Sequence, residues 1–116
     1  MNLYTCSIDL HDDAKALVFA HAVGEWMTHL QNAGTIQGWR LMRRKLNLVS
    51  GGQRDFLLEV EVRNLAQLDS AFRLSGTRDE RVENLYRAVH TLIAEADYAL
   101  YRHFPDPERA ERMGLV

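Results

Sequence analysis

The sequence predicts an α+β fold: a four-stranded antiparallel sheet with helices packed on one face, in the order βαββ(αα)β. Three observations predict it. Between Trp39 and Arg63, apolar and charged residues alternate on either side of a Ser50-Gly51-Gly52-Gln53 turn, the pattern of two half-buried strands folded back on each other. Apolar residues recur at helical spacing before this hairpin and again after it. Short alternating segments near the start of the chain and near residue 100 supply the remaining strands.

Taken in order, residues 2–10 (NLYTCSIDL) set Tyr4, Cys6 and Ile8 on one side of a strand and Thr5 and Ser7 on the other. His11-Asp12-Asp13 supplies a turn and a helix N-cap, with its carboxylates at the positive end of the helix dipole. From about 13 to 33, the residues Ala16, Phe19, Ala20, Val23, Trp26, Met27 and Leu30 share one arc, and Gly34 is placed to end the helix in the left-handed conformation. A hairpin closed around 50–53 sets Leu46 opposite Leu57, Arg44 opposite Glu59 and Met42 opposite Glu61. Phe56, Leu58, Val60 and Val62 then form its helix-covered side.

Asn64-Leu65-Ala66-Gln67 is a capping-box variant that opens a helix to about Leu74, and Ser75-Gly76 breaks it. Thr77-Arg78-Asp79-Glu80 reads as a second capping box. Its helix is expected to run to about Glu95, with Val82, Leu85, Tyr86, Val89, Leu92, Ile93 and Ala96 as the apolar stripe. Asp97–Phe104 (DYALYRHF) is the closing strand. Residues 1–104 are read as one domain, and 105–116 as a tail whose short helix begins at Asp106-Pro107 and ends at Gly114.

Composition excludes several function classes. With 116 residues, 47% hydrophobic and 26% charged, the chain has the make-up of a single globular domain. A formal net charge of −2 and a pI near 6.2 supply no basic face for nucleic acid. One cysteine, Cys6, rules out an intramolecular disulfide and a cysteine zinc site; on an apolar strand it reads as an inert core thiol. No basic segment followed by an apolar one marks a secretory signal, and the apolar run Ala14–Met27 is broken by Lys15, His21 and Glu25, so no membrane span is expected. The expected location is cytoplasmic.

The bare face of the sheet carries Thr5, Ser7, Met42, Arg44, Leu46, Leu57, Glu59, Glu61, Tyr101 and His103. Leucines and a methionine there call for a second layer, and the simplest one is the same face of another copy, giving a homodimer. Element order and length over residues 2–104 resemble the dimeric α/β-barrel group of ferredoxin-like proteins. The resemblance is carried by NLYTCSIDL, the long hairpin around SGG, the helix break at Ser75-Gly76 and DYALYRHF. It implies two sheets paired into a barrel, with a ligand cavity between sheet and helices or inside the barrel. Members include cofactor-free quinone-forming monooxygenases, haem-degrading monooxygenases, polyketide cyclases, lactone isomerases and stress-induced proteins without assigned activity. Haem-degrading members use an Asn, Trp and His set. Asn2 matches the first of these, but the third strand has no Trp and no helical His stands as the equivalent, so that activity is not carried over.

Tyr101 and His103 share one strand face, and imidazole with phenol is a working base-and-donor pair. In an enzyme reading, His103 is the base, Tyr101 the hydrogen-bond donor and Arg44 the anion stabiliser. Glu59, Glu61, Met42, Leu57 and Trp39 contact a small apolar or aromatic ligand, through monooxygenase-, cyclase- or isomerase-like chemistry. In the competing reading, the protein is a non-catalytic dimeric module and the same polar groups are interface hydrogen bonds. His21-x-x-x-Glu25-x-x-x-His29 has metal-ligand spacing in either His–Glu pair, but eight residues rise about 12 Å, too far for one ion to join all three. That set lies opposite the core stripe as a solvated face. No metal and no cofactor is expected.

Overall fold

A computed structural model describes residues 1–46 and 48–106. Its elements are β1 (Asn2–Leu10), a 3-10 turn (Asp13–Lys15), α1 (Ala16–Asn32), β2 (Gly38–Arg43), β3 (Phe56–Val62), α2 (Leu65–Ser75), α3 (Glu80–His90) and β4 (Ile93–Arg102). The strands form one antiparallel sheet in the order β2-β3-β1-β4, so the N-terminal strand is central. This is the ferredoxin-like arrangement, with all three helices on one face. The tail helix expected from Asp106-Pro107 lies outside the described residues.

The apolar alternation decides which face the helices cover. Cys6, Ile8, Phe56, Leu58, Val60 and Val62 are buried beneath Phe19, Val23, Trp26, Met27 and Leu30 of α1. Phe19 is fully buried, with its ring 5.2 Å from that of Phe56. The Asp12 carboxylate accepts the Ala14 N–H at 3.0 Å, satisfying an orphan donor at the helix entry. A Schellman motif closes α1: Thr35 N–H donates to Leu30 O and Gly34 N–H to Gln31 O, both at 3.0 Å, with Gly34 at φ 77°. Asn64 caps α2 through the Gln67 N–H. The buried Gln67 side chain accepts from Arg63 N–H and donates to Gly34 O and Gln37 Oε1, tying the starts of α2 and β2 together.

Two expectations need correction. The hairpin is not tight: β2 ends at Arg43, β3 begins at Phe56, and the connecting segment carries Ser50-Gly51-Gly52-Gln53 at its far side. Met42 therefore faces Leu57, Arg40 faces Glu59 and Gly38 faces Glu61. The faces are those expected, but the register differs by four residues, and Leu46 lies beyond the ladder instead of opposite Leu57. Backbone pairing continues only to Arg44 N–H on Asp55 O at 2.7 Å, and Leu46 then turns the chain with φ 57°.

The second correction concerns α3, which stops at His90, while β4 begins at Ile93 instead of Asp97. Ile93 and Ala96, three apart, fit a helical stripe and not a regular strand face; a register shift between Asp9 and Leu10 lets them pair with Leu10 and Ile8 on one side of the sheet, and this pairing makes them strand. The cap of α3 is Asp79, whose carboxylate accepts from Val82 N–H at 3.2 Å. Thr77 instead donates its hydroxyl to Leu74 O at 2.8 Å.

Candidate functional site

Phe72, Tyr86 and Tyr98 remain well exposed on the helix side of the molecule. They surround a space that the helices do not fill, a cavity of about 410 Å³. Tyr4, Cys6 and Ile8 of β1, Leu58 and Val60 of β3 and Tyr98 of β4 form its floor. Trp26, Met27 and Leu30 of α1, Ala71 and Phe72 of α2, and Tyr86, Val89 and His90 of α3 form its walls, and Ser75-Gly76 borders it where α2 ends. Volume and lining suit a small, mostly apolar ligand.

The aromatic groups are ordered against one another. Tyr4 stacks on Tyr98 at 6.1 Å and meets Phe72 edge-on at 5.6 Å, while Tyr86 meets Trp26 edge-on at 6.1 Å. Tyr86 and His90, one helical turn apart, stack with ring centres 3.7 Å apart. His90 Nδ1 lies 2.8 Å from Tyr86 O. A carbonyl only accepts, so Nδ1 carries the proton, and in the neutral ring Nε2 keeps its lone pair.

Burial pushes the Tyr4 phenol up to about 12, with smaller contributions from Cys6 and Tyr98. Burial also pushes the Cys6 thiol up to about 12, and burial, then Cys6 and Tyr86, raise Tyr98. These groups stay protonated at neutral pH. Among the described residues, the hydroxyls of Tyr4, Tyr86 and Tyr98 make no hydrogen bond to the protein, and Tyr86 and Tyr98 are exposed to solvent beside the cavity. The cavity thus holds phenolic donors and one imidazole acceptor on an apolar surround. It can seat an aromatic molecule, take a proton from it and hydrogen-bond an oxygen on which charge develops.

The residues singled out from sequence lie elsewhere. Met42, Arg44, Leu57, Glu59, Glu61 and Tyr101 occupy the open face of the sheet, where pairing puts Tyr101 beside Leu3. His103 follows β4 and borders the same end of the sheet with Tyr101 and Glu61. Glu59 pairs with Arg40, not Arg44: Arg40 Nε and Nη2 donate to its two oxygens at 2.8 and 3.1 Å, with Glu59 only 7% exposed. Arg44 donates to Gln53 O at 3.1 Å. Trp39 is on the opposite, helix-covered face, paired with Val60 and set against Gly24 of α1. His21 and Glu25 form an exposed pair at 3.1 Å, while His29 stacks on Trp26. Among the described residues, no group of three or more His, Cys, Asp or Glu is placed to hold a metal ion.

At one end of the open face, Arg54 bridges three carboxylates, donating to Asp9 at 2.9 Å, Glu95 at 2.7 Å and Asp97 at 2.9 Å. Asp9 also accepts the Asp55 N–H at 3.0 Å, the largest of the effects that hold its carboxyl below the usual range, Arg54 adding to it. This cluster pins Arg54 and Asp55, just before β3, to β1 and β4.

Sequence reasoning placed Tyr86 in the helix stripe, gave His90 and Tyr98 no site role, and set Tyr4 on one strand side with Cys6, read as an inert core thiol. The available signal was Tyr86-x-x-x-His90, a phenol and an imidazole one turn apart at the margin of an apolar stripe.

A profile of a family described as of unknown function (DUF6614) matches residues 1–116. No curated protein matches the chain in sequence. Among solved structures, a dimeric ferredoxin-like protein of unknown function from Thermobifida fusca is similar at 10% identity and a TM-score of 0.59, covering 88% of this chain and 90% of its own. An antibiotic biosynthesis monooxygenase is similar at 13% identity and a TM-score of 0.63, covering 90% and 100%. A dabb family protein with a ferredoxin-like fold from Mesorhizobium loti is similar at 11% identity and a TM-score of 0.61, covering 89% and 96%. At these identities, the likeness is one of fold. Among the described residues, no helix is long and apolar enough to cross a membrane.

Proposed function

We propose, from the premise that the chain belongs to the DUF6614 family, that this protein is a cofactor-independent enzyme. It would act on a flat, hydroxyl- or keto-bearing aromatic metabolite held between sheet and helices. His90 Nε2 takes a proton from the substrate, and the hydroxyls of Tyr4 and Tyr98 donate hydrogen bonds to the oxygen that becomes negative. The observation that carries this reading is the apolar cavity of about 410 Å³ whose polar lining includes a tautomer-fixed imidazole and unpartnered phenols. Similarity in fold to an antibiotic biosynthesis monooxygenase supports a catalytic use of such a cavity. The enzyme works as a homodimer joined through the open sheet face, where Met42 and Leu57 remain partly exposed, in keeping with the dimeric protein of like fold. A cytoplasmic location, suited to its single reduced thiol, belongs to the same reading.

Two measurements test it. Calorimetric titration with 1-naphthol should show one site per chain, lost when Ala71→Phe fills the cavity; no heat, or equal heat in a folded Ala71→Phe protein, refutes the cavity reading. In D2O, exchange of the activated CH2 of 2-tetralone, followed by NMR, should be accelerated by the protein and not by His90→Gln. Binding without accelerated exchange would make the protein a ligand-binding module instead of an enzyme.

A further inference from the structure

The homodimer proposed above leaves undecided which way the two sheets face, and the charges of the open face choose. Most of them are answered within the chain: Arg40 by Glu59, and Arg54 by Asp9, Glu95 and Asp97. Arg44 and Glu61 have no ion-pair partner among the described residues. Arg44 donates only to a backbone carbonyl, and Glu61 acts on Arg40 only as a secondary influence behind Glu59.

They lie at opposite ends of the face. Arg44 is bonded through its backbone to Asp55, just before β3, and Glu61 is opposite Gly38 near the end of β3. The six-residue separation between Asp55 and Glu61 spans about 20 Å of strand. Leu57 and Met42 sit close to its midpoint. Beyond Arg44, the connecting segment presents Leu46 at 85% and Leu48 at 79% exposure, and beside Glu61 lie Leu3 and the exposed Tyr101.

We propose that the two sheets stack with their strand ends reversed. Arg44 of each copy then meets the partner's Glu61, and Leu46 and Leu48 lie on the partner's Leu3 and the partner's Tyr101. A two-fold axis that reverses the ends brings the cation to the anion twice and covers the apolar groups at both ends. An axis that kept the ends together would gather Arg44 of both copies at one end of the stack and Glu61 of both at the other, a like-charge arrangement that opposes association. The segment is held ready for this contact: Arg54 ties its base to β1 and β4, and Leu46 keeps a left-handed backbone (φ 57°) that an exposed leucine adopts only under constraint.

The test rests on the homodimer reading and separates from it. Sedimentation equilibrium should find the wild-type protein dimeric, with Arg44→Glu and Glu61→Arg each weakening the dimer by about tenfold or more. The double variant should recover to within about threefold of wild type, since the swapped pair is rebuilt. Leu46→Asp with Leu48→Asp should weaken the dimer without altering the circular dichroism of the monomer. A dimer that ignores both charge reversals, or a double variant weaker than either single one, overturns the reversed orientation and leaves the homodimer standing. A wild-type monomer throughout the micromolar range overturns both.

Discussion

Cys6 offers a quantitative probe of how dry the cavity floor is. The residue is 7% exposed, and burial pushes its thiol from an ordinary value of 9.0 up to about 12. The folded state therefore holds the proton over a pH range in which the unfolded chain releases it. Stability is fully present below the unfolded pKa and falls as pH rises between the two values, because there the folded state binds more protons than the unfolded one. At about 1.4 kcal/mol per pH unit, raising the pH from 8 to 10.5 costs about 2 kcal/mol through this thiol alone. Replacing it by alanine costs about 1 kcal/mol at pH 8 through the lost sulfur, but removes the pH-dependent part. Urea unfolding of both proteins at pH 8, 9.5 and 10.5 should thus show Cys6→Ala starting less stable and ending more stable. The alkaline slope that remains in Cys6→Ala comes from Tyr4 and Tyr98, which burial raises in the same direction. Parallel slopes for the two proteins would refute the assignment of a dry floor at Cys6.

Two further outcomes follow from packing and caps. Phe19→Ala should cost about 3–5 kcal/mol in chemical denaturation, since the ring is fully buried against Phe56 and the sheet cannot collapse onto the space; a loss below about 1 kcal/mol would contradict the central place given to that contact. Asp79→Ala should lower stability by about 1 kcal/mol through loss of the cap on Val82 N–H, and Thr77→Ala should lower it less. The opposite order would restore the threonine cap read from the sequence.

Much of the fold is legible in the sequence because burial imposes period. Phe56, Leu58, Val60 and Val62 alternate cleanly, and the Phe19, Val23, Trp26, Met27 and Leu30 arc is buried as its spacing requires. Register is another matter. Alternation says which side a residue faces but is unchanged by a shift of an even number of residues, so the continued alternation of Lys45-Leu46-Asn47-Leu48 reads as strand. What ends the ladder is distant: Asp9 holds Asp55 N–H, and Arg54 is drawn to Glu95 and Asp97. The start of β4 escaped for a different reason: Ile93 and Ala96 have helical spacing, and only a register shift in the pairing with β1 puts both on one side of the sheet. The cavity was the least legible feature. It is a volume left unfilled where α2 and α3 stand over β1 and β4, and no local pattern announces a space. Its chemistry comes from residues that individually read as core, such as Tyr4 and Cys6, joined by Tyr98 and His90 from the far end of the chain.

The central position of β1 has a consequence for how the molecule is made. Residues 2–10 leave the ribosome before both strands that flank them, one edge being completed by residues 56–62 and the other only by 93–102. A nine-residue strand bearing Cys6, Ile8 and Leu10 therefore waits with two open edges until β3 has emerged, and with one until β4 has. Those edges are templates for pairing with other nascent chains on the same message. Chaperone occupancy should accordingly concentrate on the first strand during translation, and fall once β4 has cleared the exit tunnel and closed the sheet.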